Sequence, residues 1–212
     1  MQETVQFRLK CLIRPGSGPG ILFLHGAGSR GSMERLRVNP FFSDASPRLS
    51  QFAVLAPLCE EDTWFDCFER LKALAQHSAE LLQCDPGRLS VVGASMGGYA
   101  AWQLAMSLPQ TFAALVPLCG GGMRWNAARL KNIGIWAFHG AEDTCVPLAE
   151  SVAMVEAVRN SGGSARLTVY PQVGHACWEK AYREDELFEF LLRQQCRRRE
   201  PDTCPLEGKA FG

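Results

Sequence analysis

The stretch "VVGASMGGYA", residues 91–100, sets an apolar run directly before a serine flanked by glycines. Read outward, it is the end of a buried strand, a tight turn at Ser95 and the start of a helix at Met96. Gly93-Ala94-Ser95-Met96-Gly97 has the form Gly-x-Ser-x-Gly. With Gly and Ser each at about 7% of residues, chance gives that form in roughly one of fifteen chains of this size. Its weight therefore comes from its setting. A strand–turn–helix geometry strains the serine and lifts its hydroxyl clear of the sheet, while the two glycines leave room for the crossing backbone. A serine at this place also caps a helix well. The choice between nucleophile and cap depends on the rest of the chain.

On either side, apolar runs alternate with helical periods. "ILFLHG" (21–26), "FAVLAPL" (52–58), "LSVVGAS" (89–95), "FAALVPL" (112–118), "IGIWAFHG" (133–140) and "RLTVYP" (166–171) read as strands, the first three buried on both faces. Residues 3–13 alternate as a single edge strand, closed by the turn "PGSGPG". Helices are predicted over 65–83, 96–107, 148–160 and 178–195, with Asp85-Pro86-Gly87, Pro109 and Gly162-Gly163 as stops after the first three. Residues 28–51 read as polar and irregular. This alternation predicts an α/β protein: a mostly parallel, doubly wound sheet with helices on both faces. One domain is expected over 1–196, and 197–212 is expected to be a flexible tail, since "PDTCPLEGKAFG" has no period.

Composition narrows the function classes. The 212 residues are 47% hydrophobic and 21% charged, which suits a sizeable core. Basic and acidic residues balance at 22 each, so neither nucleic acid nor an acidic solvating role is indicated. The short run "RQQCRRRE" (193–200) reads as a solvated helix end. The nine cysteines are odd in number, form no CxxC and show no metal-ligand spacing, so free thiols in a reducing, cytoplasmic compartment are expected, with no metal and no cofactor. The N-terminus lacks the apolar core of a signal peptide, and no window approaches 18 apolar residues. The predicted edge strand leaves monomer and homodimer open.

A serine nucleophile needs a base. Of four histidines, His77 lies on a polar helical stretch. His25 and His139 end strands before glycine, where such rings brace loops. His175, in "PQVGHACW", follows the last strand. In a parallel sheet the active site lies beyond the carboxyl ends of the strands, so His175 is the candidate base. The orienting acid is sought between Ser and His. In "GAEDTCVP" (140–147), Asp143 sits just past a strand end with Glu142 beside it. The order Ser95, Asp143, His175 is the order this architecture requires. An oxyanion needs preorganised N–H donors. Met96 supplies one and the "LHGAGS" loop (24–29) the other, through Ala27 with Gly26 as the fallback.

Together "LHGAGSRG", "GASMGGYAAWQLA", "VPLCGGG", "IWAFHGAEDTCVP" and "VYPQVGHACW" resemble the α/β-hydrolase superfamily, and within it the serine esterases of the dienelactone-hydrolase and prolyl-oligopeptidase-like branch. The resemblance spans 21 to about 192. It implies a Ser95–Asp143–His175 triad, oxyanion donors at Ala27 and Met96, and a carboxylic ester as substrate. Dienelactone hydrolases proper use a cysteine where this chain has Ser95, acyl-protein thioesterases usually carry Gln where it has Met96, and a propeller domain has no room in 212 residues.

Only 14 residues, "CGGGMRWNAARLKN" (119–132), stand where relatives of this fold insert a lid, so an open site is expected. Trp64, Trp178 and "NPFF" (39–42) are candidate walls for a small acyl or aromatic group. Cys145 and Cys177 neighbour the acid and the base, and read as buried thiols. Thioester or peptide cleavage on the same fold, and a non-catalytic binding protein, are the alternatives.

Overall fold

The computed structural model describes residues 1–196. The expected tail and the basic run from 197 onward lie outside the described residues.

Among the described residues, eight strands form one sheet: β1 (Gln2–Gln6), β2 (Leu9–Arg14), β3 (Gly20–Leu24), β4 (Ala53–Pro57), β5 (Leu89–Ala94), β6 (Ala114–Leu118), β7 (Gly134–Gly140) and β8 (Ala165–Tyr170). Their spatial order is β1-β2-β4-β3-β5-β6-β7-β8. From β4 to β8 all neighbours are parallel, while β2 pairs antiparallel with β4 and β1 with β2. The carboxyl ends of β3, β5, β7 and β8 therefore lie on one rim of the sheet, where loops from distant parts of the chain converge.

Among the described residues, eight helices cover the faces: α1 (Met33–Arg37), α2 (Pro40–Ser43), α3 (Ser46–Leu49), α4 (Phe68–Leu82), α5 (Met96–Ser107), α6 (Leu148–Asn160), α7 (Trp178–Ala181) and α8 (Asp185–Arg193). Every residue of β3, β4 and β6 is buried, because both faces are covered, and this is why these strands read as continuous apolar runs. Side chains still alternate. Leu22 and Leu24 pack with α4, α5 and α6 in one core layer. Ile21 and Phe23 pack with α1–α3 and α8 in the other. Phe23 stacks on Phe41 at 4.1 Å between ring centroids, which pins α2 to the sheet.

Helices α5 and α6 span the residues read from sequence. Elsewhere the structure corrects the reading. Residues 3–13 are not one strand but a hairpin, because Phe7 and Arg8 (φ 50° and 60°) make a tight turn in the left-handed region. The region 28–51 holds three short helices. Helix α4 begins at Phe68 rather than 65, since Asp66 accepts the Thr63 N–H and hydroxyl at 2.8 and 2.7 Å and holds that segment as a turn. The expected helix 178–195 is two helices. Glu184 adopts an extended backbone (ψ 121°), and its carboxylate accepts the Tyr170 hydroxyl at 2.6 Å.

Candidate active site

Ser95 sits between β5 and α5 with φ 54° and ψ −118°, and its N–H donates to Leu118 O at 2.8 Å. A Cβ at Gly93 would run into the Gly97 carbonyl oxygen, and one at Gly97 would run into that of Leu24. The two glycines are thus dictated by the close crossing of strand, turn and helix, and the strained serine is what that crossing leaves exposed.

The loops after β7 and β8 meet at this turn. His175 Nε2 lies 2.8 Å from Ser95 Oγ, and His175 Nδ1 lies 2.8 Å from Asp143 Oδ2. This geometry fits one tautomer: Nδ1–H donates to the carboxylate, and Nε2 accepts from the hydroxyl. The other Asp143 oxygen accepts the N–H groups of Cys145 and Val146 at 2.9 Å each. The Asp143 side chain has no exposure to solvent, while that of His175 retains 24%. A hydroxyl held this way can hand its proton to the ring as it attacks a carbonyl.

The electrostatics are uneven. Burial alone would raise the Asp143 carboxyl, but the His175 ring and the Val146 and Cys145 N–H groups outweigh it and hold it below the ordinary carboxylate value. The Cys119 sulfur and the Asp143 carboxylate both bear on the His175 ring. Against the opposing effect of burial they lift its pKa from 6.5 to about 9. Cys119 is itself pushed far above the ordinary thiol value by the Cys177 thiol and by burial, so it stays a neutral S–H. A neutral thiol holds no cation, which leaves Asp143 as the charge that favours the imidazolium.

Ala27 opens a 3-10 turn (Ala27–Ser29) and Met96 opens α5. As first residues of helical turns, both have N–H groups that no intrahelical carbonyl can accept. Ala27, Ser95, His175, Trp178, Glu179 and Arg35 line a cavity of about 490 Å³. Trp178 stands edge-on to His175 at 5.3 Å between centroids. Trp64 is placed differently from the sequence reading. It is fully buried and lines no part of this cavity, because its indole N–H is used inside, donating to His25 O at 3.0 Å. Of "NPFF", Asn39 and Pro40 reach the cavity, whereas Phe41 is buried against Phe23. Cys177 is buried as expected, but Cys145 is exposed.

Sequence reasoning gave His25 and His139 only a general bracing role. His25 Nδ1–H donates to Gly26 O at 2.7 Å, and Nε2 accepts the Cys59 N–H at 3.0 Å. Burial drives its pKa down to about 4, so the ring is neutral. His139 is also fully buried. Its Nε2 lies 2.9 Å from Val146 O and 3.3 Å from Asp143 Oδ2, and its Nδ1 lies 2.7 Å from Ser151 Oγ. Cys119, Arg35 and Glu179 were missed, since no local pattern marks a residue that arrives by tertiary packing. Among the described residues, two groups bring three metal-ligating side chains together: Cys119 with Asp143 and His175, and Cys59 with Glu61 and Cys67. The first is the site just described. Among the described residues no helix is long and apolar enough to cross a membrane.

Fold and site together define an α/β-hydrolase. The sequence pattern of the dienelactone hydrolase family matches residues 49–187, and the chain belongs to that family. Among solved structures, a thermostable esterase is similar at 27% identity and a TM-score of 0.76, over 88% of this chain and 59% of that one. This chain thus spans 59% of that esterase's length. TT1662 from Thermus thermophilus shares the fold at 16% identity and a TM-score of 0.71, over 90% and 95% of the two chains. Est1E from Butyrivibrio proteoclasticus does so at 14% identity and 0.68, over 86% and 94%. No curated protein matches by sequence.

Proposed function

We propose that this protein hydrolyses small acyl or aromatic carboxylic esters through an acyl-enzyme on Ser95. The observation that carries the reading is the unbroken line of 2.8 Å contacts from Ser95 Oγ through the His175 ring to Asp143. Ser95 Oγ attacks the ester carbonyl while its proton passes to His175 Nε2. Asp143 orients the ring and stabilises the imidazolium. The oxyanion is met by the Ala27 and Met96 N–H groups, and His175 then protonates the departing alcohol. Water repeats the sequence on the acyl-enzyme and frees the acid. The cavity supports a short acyl group: it is modest in volume, and only a 3-10 turn (Arg124–Leu130) occupies the stretch where a lid would stand.

A fluorophosphonate probe tests the chemistry. Stoichiometric modification mapped to Ser95 on folded protein, absent after His175→Ala, is the expected result. A folded protein that takes no adduct would sink the reading and leave a binding protein. Rates across p-nitrophenyl esters of rising chain length test the substrate class, and faster cleavage of long chains would count against it.

A further inference from the structure

The loop between β4 and α4 runs Cys59-Glu60-Glu61-Asp62-Thr63-Trp64-Phe65-Asp66-Cys67. An eight-residue separation is not a familiar metal-ligand spacing, yet the loop folds back on itself. Cys59 Sγ, Cys67 Sγ and a Glu61 carboxylate oxygen all lie within 4.8 Å of one another. Both sulfurs are buried and face each other, and beyond that thiol–thiol contact Cys59 meets Glu61 O at 3.5 Å and Cys67 meets Trp64 O at 3.7 Å. One Glu61 oxygen is paired with Arg70. The other, Oε2, is buried and has no hydrogen-bond partner. A buried carboxylate oxygen without a partner, beside two buried thiols turned toward each other, is costly unless something fills the space between them.

We propose that Cys59, Cys67 and Glu61 form a binding site for a soft divalent cation of the zinc class, which fastens the 59–67 loop behind the β3 loop that carries Ala27. Two thiolates and a carboxylate are the donor set zinc takes. A tetrahedral site with Zn–S near 2.3 Å needs sulfurs roughly 3.8 Å apart, so the group closes on an ion with small shifts. Charge balances as well. Two thiolates and one carboxylate carry three negative charges, which the dication and the Arg70 guanidinium offset. Binding releases the two thiol protons to solvent. The Glu61 side chain, 30% exposed, connects the buried sulfurs to water and gives the ion a way in. The loop is already tied to β3, since the Cys59 N–H and the Trp64 indole both hold His25. An ion here stiffens that support without touching Ser95.

The test is a titration of Co²⁺ alone into fully reduced protein, read by absorption. The expected result is a thiolate-to-cobalt charge-transfer band saturating at one ion per chain and displaced by Zn²⁺. Cys59→Ser and Cys67→Ser abolish it, Cys145→Ser leaves it intact, and Glu61→Gln weakens cobalt binding on the order of tenfold or more. Zn²⁺ raises the Tm of the wild type but not of Cys67→Ser. Should a serine variant fail to fold, alkylation mapping on the wild type decides: Zn²⁺ must protect Cys59 and Cys67 from N-ethylmaleimide. No stoichiometric band, a band that survives Cys67→Ser, protection falling on Cys119 and Cys177 instead, or a Cys59–Cys67 disulfide in place of metal binding would each overturn the proposal.

Discussion

Two strands of the sheet lead to the same dipeptide. β3 runs out into His25-Gly26 just past its end ("LFLHG", 22–26), β7 ends on His139-Gly140 ("WAFHG", 136–140), and both histidines are fully buried. Behind the β3 end, His25 is a neutral connector that takes one N–H and gives another, all to backbone. Behind the β7 end, His139 faces a carboxylate, the oxygen of Asp143 that also binds His175. The glycines differ too. A Cβ at Gly26 would sit 3.2 Å from Ala94 O and 3.4 Å from Ser95 Cβ, contacts that yield with small shifts. One at Gly140 would collide with the Val173 and Gly174 carbonyls, the backbone that leads into His175. The same local sequence thus supports a ring of uncharged N–H donors at one end and the placement of a charge at the other.

Three experiments break or sharpen this contrast. The largest effect is expected at the β7 end. Asp143→Asn lowers kcat for a short ester by about 10⁴-fold, because the amide favours the wrong tautomer of His175. The pH profile checks the cause. His175 must be neutral to accept the Ser95 proton, and the Asp143 carboxylate raises its pKa, so wild-type kcat/KM is expected to rise with pH through an ionisation displaced upward from 6.5. In Asp143→Asn that limb moves down toward 6.5; an unmoved limb would remove Asp143 as its cause.

The glycines come next. Gly140→Ala is expected to cost about 1–3 kcal/mol in urea unfolding, since the colliding atoms are backbone. Gly26→Ala costs no more than about 1 kcal/mol. Equal costs would erase the contrast. The smallest effect separates the two rings. His25→Ala lowers kcat by at most about 100-fold through displacement of the Ala27 loop. Its pH profile is unchanged, because a ring with a pKa of about 4 does not titrate in the assay range. His139→Ala lowers kcat by roughly tenfold or more. Its acid limb shifts upward, since Asp143 loses a neighbouring N–H and holds the His175 proton more tightly.

Much of this was legible in the residues. The parallel sheet follows from apolar runs set between helical periods, and the limits of α5 and α6 follow from clear stops. Ser95, Asp143 and His175 were selected by order and by their places at strand ends, and they lie within hydrogen-bond reach of one another. What escaped has a common cause. Phe7 and Arg8 turn the chain without glycine or asparagine, so the alternation runs on and hides the hairpin. Trp64 looked like a cavity wall because its burial depends on β3 passing behind it. Cys59 and Cys67 carry no signal at their spacing, since only the fold of the intervening loop brings them together.

The setting of Ser95 has a further consequence. It rides on the middle of the sheet, with its amide tied to β6 and its flanking glycines pressed against β3 and α5. His175 rides on a loop between the edge strand β8 and the four-residue α7. The proposed nucleophile and its base therefore belong to parts of the molecule with different opening free energies. In native-state hydrogen exchange the Ser95 amide is expected to be held until global unfolding, while the His175 loop exchanges through local fluctuation. Gentle warming is then expected to silence the protein while its sheet is still whole, with recovery on cooling and no refolding step.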